Sequence, residues 1–502
     1  MSASMASTAL RSVEDLPGPR GLPGLGNALG VRRGQLHLVA ERWCREYGPV
    51  FRFDLGPRRI VGVGDLSAIN EILRQRPERF RRWTELAEIV KENGADGVFA
   101  AEGEHWRRQR RLAVTALNSN NLQRYFGVIR LATERLYDRL AVVAGEGAPF
   151  AIHEQFKSFT LEVTCALAFG YDLATETPSA DLRPHIDRVF AMTARRLNAP
   201  FPYWRRVKLP ADRALDRSLR ELRAAAGHFI EQGRARMHAR PELREQPENF
   251  LEAMLAAQEL EGRLSEEELF GNTITMLLAG EDTTAATLAW AAWLLVGHPD
   301  VQEELASEAG DLLGDAPLAL DHETVAQFAF ADAVLRESIR LKPVAPMLAI
   351  ESLSDAEVAD VHVPASTRLL LLTRHAAQRE GGLARPEDFH PARWRVAGNG
   401  GHDPKSFLAF GAGPRFCPGR NLAFLEAKAA LAMLARNFRL LPDPAAGPVR
   451  ELFTFTMTPH GLRVRLKARS APPLSRLPSE DRSLRVARLD GTVGARPTPK
   501  GC

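Results

Sequence analysis

The sequence predicts a mainly α protein with small β sheets, built as one large domain. Three observations point there. From about Leu66 to Phe330, apolar residues recur at helical spacing between polar breaks. Strand character is confined to short pieces: "VFRFDLG" and "RRIVGVGD" early in the chain, residues 358–372, and a last hairpin around Thr454–Leu466. Strands and helices do not alternate in the βαβ rhythm of a doubly wound sheet, and no segment repeats.

Residues 1–15 are expected to be a flexible leader, since the Ser/Ala-rich start lacks the apolar stretch of a secretion signal. "LPGPRGLPGLGN" (Leu16–Asn27) is a rigid Pro/Gly entry segment. Its glycines do not make a dinucleotide fingerprint: no strand precedes them, and the spacing after Gly26 is wrong. A turn at Gly56-Pro57 joins the first two strands, and "NLAFLEAKAALAMLARNF" from Asn421 reads as a helix. The main domain is expected over 16–467. Residues 468–502, rich in Pro, Ser and Arg without periodicity, are expected to be a disordered tail.

Of the 502 residues, 66 are Lys or Arg and 62 are Asp or Glu, for a net charge of +4. The segment Ala468–Cys502 holds seven basic and three acidic residues, so the body is near neutral. A nucleic-acid-binding body would carry a basic face of its own. No apolar run reaches the roughly 18 residues of a membrane span. The cysteines, Cys44, Cys165, Cys417 and Cys502, show no paired spacing. A disulfide scaffold is therefore excluded, and a reducing, cytoplasmic setting is expected.

Five stretches carry chemistry. "SEEELFGNTITMLLAGEDTTAATLAWAAWLLVGHP" predicts a long helix opened by a Ser265–Glu268 capping box and stopped at Gly297-His298-Pro299. Its middle is odd. Gly280 costs about 1 kcal/mol relative to Ala in a helix interior, and Glu281 and Asp282 cost more if buried without partners. A small residue beside an acid–alcohol pair suits a pocket that admits a small ligand and delivers protons; a polar kink is the plainer alternative. In "LRESIRL", Glu337 and Arg340 share a helix face among apolar neighbours, which favours a buried pair needing further partners. "DFHPARW" is a Pro-punctuated loop that presents Arg393. "EHWRRQRR" puts Trp106 and Arg110 on one face, which reads either as a basic surface helix or, more sharply, as an anion site, with Arg107, Arg108 and Arg111 left to attract an acidic partner. "FGAGPRFCPGR" surrounds Cys417 with glycine-rich backbone and an arginine, a setting expected to lower its thiol pKa and suit metal ligation. Zinc fits poorly without a CxxC or HExxH companion, and no motif supplies a His for a nucleophilic cysteine. One thiolate is sufficient as the axial ligand of a haem.

In this order the stretches resemble the cytochrome P450 family, from about Leu16 to Leu466. Phe410, Gly413, Arg415, Cys417 and Gly419 fall on the family's F-x-x-G-x-R-x-C-x-G, which continues into Ala423 and Glu426. The resemblance implies haem b with Cys417 as its iron ligand and Phe410 beside the sulfur. Gly413 and Gly419 would allow close backbone approach. It implies that Trp106, Arg110 and Arg415 hold the propionates. Ala279 and Gly280 would line the distal side, and Asp282 with Thr283 would guide protons. Glu337, Arg340 and Arg393 would form a structural triad. Two departures stand out. The family's propionate-contacting arginine is missing near "LAIESLSD", where Ile350 or Glu351 stands, and its Pro-x-Gly-Thr turn reads Pro364-Ala365-Ser366-Thr367.

The implied activity is a soluble, bacterial-type haem-thiolate monooxygenase. It would insert one atom of O2 into an apolar lipid, terpenoid or steroid-like substrate. The chain has no flavin, nicotinamide or iron–sulfur motif. A separate ferredoxin or flavodoxin-type donor with its reductase is therefore implied. A haem-thiolate isomerase or peroxygenase, and a non-catalytic haem sensor, are the alternatives. The segments around Trp83–Phe99 and Asn198–Trp204 are expected to roof the pocket.

Overall fold

A computed structural model describes residues 10–32, 34–173, 181–261, 264–379, 385–395 and 406–469. Long helices wrap around one of their number, Glu266–Gly297, hereafter the central helix. It is buried on nearly every side because its apolar residues run all round it rather than along one stripe. Ser265 and Glu268 cap it reciprocally: the Ser265 hydroxyl accepts from Glu268 N at 3.1 Å, and the Glu268 carboxylate accepts from Ser265 N at 2.9 Å. Helices Ile152–Phe169, Ala329–Leu341 and Arg420–Asn437 pack against it, and all contribute to the apolar core.

The β structure stands to one side. Val50–Leu55 and Arg58–Val63 pair antiparallel, turning at Gly56 as expected, and lead into a five-stranded sheet. That sheet continues through Arg368–Leu371 and Leu348–Ser352 to the edge strand Phe80–Arg82. On this edge Arg82 stands opposite Ile350 and Arg81 opposite Glu351.

The expected last hairpin around Thr454–Leu466 is two structures. Arg450–Phe453 and Met457–His460 form the hairpin, whereas Val464–Ala468 pairs with Phe438–Pro442 at the end of the Arg420–Asn437 helix. The alternation of apolar residues is the same in both pieces, so only long-range pairing separates them. Part of the leader expected over 1–15 is placed in the fold: Arg11–Ser12 joins Val361–Val363 as a parallel strand, and Arg11 pairs with Asp360 at 2.7 Å. Residues 1–9, and 470–502 of the expected tail, lie outside the described residues.

Candidate active site

The loop before helix Arg420–Asn437 holds Cys417 by its backbone. Cys417 N donates to Phe410 O at 2.9 Å and Phe416 N to Gly413 O at 3.1 Å. Gly413 has a positive φ of 68°, and a Cβ there would collide with the backbone of Leu73, so only glycine fits. Gly419 is less constrained, because a Cβ there would meet the Cys417 sulfur at an ordinary 3.8 Å. Burial pushes the Cys417 thiol up despite the N–H groups of Gly419 and Arg420 and the nearby Arg110. This corrects the expected lowered pKa: the nest of donors is present, but desolvation outweighs it for a bare thiol. A cation on the sulfur would reverse the balance. Phe410 packs its ring on Phe424 at 5.6 Å.

Beside this loop lies a cluster of arginines. Trp106 is buried, with the Arg415 guanidinium 4.3 Å above its ring. Arg415 pairs with Glu102, and Arg110 donates to Phe416 O. Sequence reasoning missed two members, Arg76 and Arg82. Burial first, then mutual repulsion with Arg76 and Arg415, pushes Arg82 well below the usual guanidinium range. Burial, with repulsion from Arg76 and Arg110, lowers Arg415 to about 10. Glu102 is the carboxylate that opposes Arg76, Arg82 and Arg415. Arg76 Nε and Nη2, Arg82 Nε and Arg415 Nε are buried without a hydrogen-bond partner. Such under-paired charge is expensive unless an anion completes it. The two carboxylates of a haem are such an anion, so these residues fit the group.

A candidate to replace the missing family arginine lies on the neighbouring strand. Ile350 is buried and Glu351 is taken by Arg81 at 2.7 Å, but Arg82 sits directly across the strand pair from Ile350. The signal was "RFRRW", legible only once the register of two strands 270 residues apart is known.

On the central helix Met276, Ala279, Thr283 and Thr287 are accessible while most of their neighbours are buried. Their spacing puts them on one face. The Thr283 hydroxyl donates to Ala279 O at 2.9 Å, the back-bond that can bend a helix. Gly280, four residues after Met276 and three before Thr283, lies on the same face and is half-buried. A Cβ on it would collide with the Thr164 side chain, so it serves close helix packing. Asp282 and Thr283 have separate partners, because the buried Asp282 carboxyl accepts from the Thr456 hydroxyl. Burial raises the Asp282 pKa. Glu281 is fully buried near Lys157, and burial, helped by Asp282, pushes its carboxyl up to about 9, so it carries a proton at neutral pH.

Glu337, Arg340 and Arg393 do come together. The fully buried Glu337 accepts five hydrogen bonds: two from Arg340 at 2.8 Å, and one each from Arg393 at 2.9 Å, Trp394 Nε1 at 2.9 Å and His390 N at 3.1 Å. Burial alone would raise its pKa, but these donors hold it below the usual carboxylate range. Arg340 spends its remaining donors on Pro386 O and Asp388 O.

The expected docking arginines are largely occupied. Arg107 pairs with Glu104 and Glu78, and Arg108 with Glu268 at 3.2 Å. A different cationic group flanks the cysteine loop: Arg336, Arg420 and Lys428 gather around Asp332.

A lone thiol under backbone donors, an arginine cluster short of anions and an open stripe on a buried helix define a haem-thiolate enzyme. Comparisons with known proteins agree. The family profile Cytochrome P450 matches residues 16–466. The chain is 34% identical over 469 residues to human mitochondrial 25-hydroxyvitamin D-1 alpha hydroxylase, covering 88% of this chain and 90% of the relative. It is 27% identical to the chloroplastic protein LUTEIN DEFICIENT 5 of Arabidopsis thaliana (89% and 76% covered). It is 26% identical to cytochrome P450 3A13 of Mus musculus (85% and 86% covered). The chain belongs to the cytochrome P450 family. It is a haem-thiolate monooxygenase that acts on apolar substrates and depends on a redox partner for electrons. No helix among the described residues is long and apolar enough to cross a membrane.

Proposed function

We infer that this chain binds haem b through Cys417 and hydroxylates a lipid, terpenoid or steroid-like substrate with electrons from an acidic ferredoxin or flavodoxin-type protein. The observation that supports the cofactor most directly is the arginine cluster: Arg76, Arg82 and Arg415 face Glu102 with buried donors to spare, and Arg110 lies beside Arg415. Two propionates would balance them. Arg82 takes the part of the arginine absent at Ile350. Arg82→Ala is expected to lose haem at least tenfold faster than the unmodified chain, read by transfer to apomyoglobin. Equal loss rates would remove Arg82 from the site.

Bound there, the haem would supply dioxygen activation at its iron. The chain's own residues do the rest. Ala279 and Met276 present an apolar surface to the substrate, and Thr283 Oγ holds a proton on the reacting face. Asp282, adjacent in the helix and with its carboxyl pKa raised by burial, is a second buried acid beside it. With an apolar ligand chosen by its spin-state shift, Thr283→Ala is expected to divert electrons to hydrogen peroxide and cut product per NADPH at least fivefold. Unchanged coupling would favour the isomerase or peroxygenase reading.

The face proposed for the donor protein is that of Arg336, Arg420 and Lys428 beside the cysteine loop. Charge there steers an acidic partner and is screened by salt. Replacing both Arg336 and Lys428 by Glu is expected to slow reduction by a ferredoxin at least tenfold at low salt, while dithionite reduction is unaffected. A ferredoxin rate within twofold of the original would move the docking site elsewhere. Cys44 and Cys165 sit buried in the core, and a reducing cytoplasm suits them as thiols.

A further inference from the structure

The turn of the last hairpin, Thr454–Thr456, reaches back to the central helix. Thr456 Oγ1 donates to Asp282 Oδ2, and each of the two residues is 4% exposed. The preceding residue, Phe455, stacks on Phe190 of helix Arg183–Leu197, with ring centroids 5.2 Å apart and planes at 14°. It also tilts against Phe99 at 5.7 Å. Phe99 in turn lies 3.6 Å beneath the Arg82 guanidinium. The loop that carries Phe99 is tied to the central helix too, because Val98 N donates to Asn272 Oδ1 at 2.9 Å. Phe455 thus joins rings from three distant segments, in the same apolar cluster as Met276. Their two fastenings, Asn272 and Asp282, are ten residues apart on one helix, about 15 Å along its axis. They bracket Met276 and Ala279 of the accessible stripe.

One of these fastenings is more telling than the other. Asn272 holds a backbone amide, which any sequence at Val98 would provide. Asp282 holds a side chain, Thr456, whose hydroxyl is the donor. The Asp282 carboxyl is also turned away from Thr283, whose own hydroxyl is spent on Ala279 O. The hairpin is also fastened by Phe453 N to Gly34 O at 2.9 Å, Met457 N to Val344 O at 2.8 Å and Trp290 Nε1 to Met457 O at 2.8 Å, all through its backbone; Thr456 is the side chain of the turn that reaches the central helix.

We propose that the Asp282–Thr456 hydrogen bond is a latch that fixes the Phe455 ring over the open stripe and so determines which apolar ligands reach the reacting face. The inference rests on the reading that this stripe faces the haem. Asp282 is then a positioning residue for substrate selection, besides any part in proton supply. With the latch closed, the three rings form a rigid aromatic ceiling that favours flat or elongated apolar molecules. With it open, Phe455 is free to leave Phe190 and the ceiling loses its shape.

The test uses the full-length haem-loaded protein and two nitrogenous iron ligands of different size, imidazole and 4-phenylimidazole, titrated by absorption. The ratio of their dissociation constants reads the ceiling independently of turnover. Phe455→Ala and Thr456→Val are expected to shift that ratio at least tenfold in the same direction. Thr456→Ser, which keeps the hydroxyl, is expected to stay within threefold of the unmodified protein. If Thr456→Val does not load haem, Thr456→Ala takes its place. A ratio within twofold for Thr456→Val, a Thr456→Ser variant that behaves like it, or an unmoved ratio in Phe455→Ala each overturns the latch. Absence of a thiolate-type carbon monoxide spectrum in the unmodified protein would instead overturn the cofactor reading on which the latch stands.

Discussion

Replacing Glu337 by Ala is expected to leave little folded protein able to take up haem. The substitution strips the buried Arg340 and Arg393 of the carboxylate that pairs with both. It also leaves Trp394 Nε1 and His390 N without their acceptor. Breaking a buried pair by removing one partner costs about 3–5 kcal/mol, out of a total stability on the order of 5–15 kcal/mol. The damage reaches beyond the helix that carries Glu337, because these bonds anchor the loop Pro386–Trp394 to it. Glu337→Gln keeps the shape and two acceptor lone pairs, so it is expected to fall between. Urea denaturation midpoints and haem uptake measure the effect. A midpoint for the Ala variant within about 10% of the original would mean that the triad is dispensable to the fold.

Cys417→Ser is expected to abolish the strongly red-shifted Soret band of the reduced carbon monoxide complex. Product formation should fall at least ~10³-fold, about 4 kcal/mol of barrier. The local fold should survive, because the loop is held by Cys417 N to Phe410 O and Phe416 N to Gly413 O, which are backbone bonds. The arginine cluster is untouched, so haem uptake should persist in weakened form. What is lost is the electron-rich sulfur that favours O–O cleavage. A variant that retains the red-shifted band would show that another residue ligates the iron.

Much of this protein was legible in local pattern. The capping box at Ser265, the Gly56 turn and the Glu337–Arg340 pair all depend on residues within four positions of each other, and backbone geometry over that distance is nearly invariant. The turn of the cysteine loop belongs to the same class, since Gly413 is required by its positive φ, although the closeness of Leu73 that also demands it is long-range. From such features the sequence determined the helical class, and the family resemblance of the cysteine loop implied a haem-thiolate cofactor with Cys417 as its candidate ligand.

Tertiary structure decided what the polar residues of the site do, because their partners are far away in the chain. Asp282 and Thr283 are neighbours in sequence, yet Asp282 turns to Thr456, 174 positions on, while Thr283 bonds within its helix. Gly280 is required in the central helix by a distant residue, Thr164, whose side chain a Cβ would strike. Arg82 carries no motif and becomes a candidate propionate contact only through its register opposite Ile350. Arg107 and Arg108 look like a free basic patch until Glu78 and Glu268 are brought against them. Burial then sets the charge states, leaving Glu281 protonated and the bare Cys417 thiol raised, because desolvation depends on everything packed around a group rather than on its neighbours in the chain.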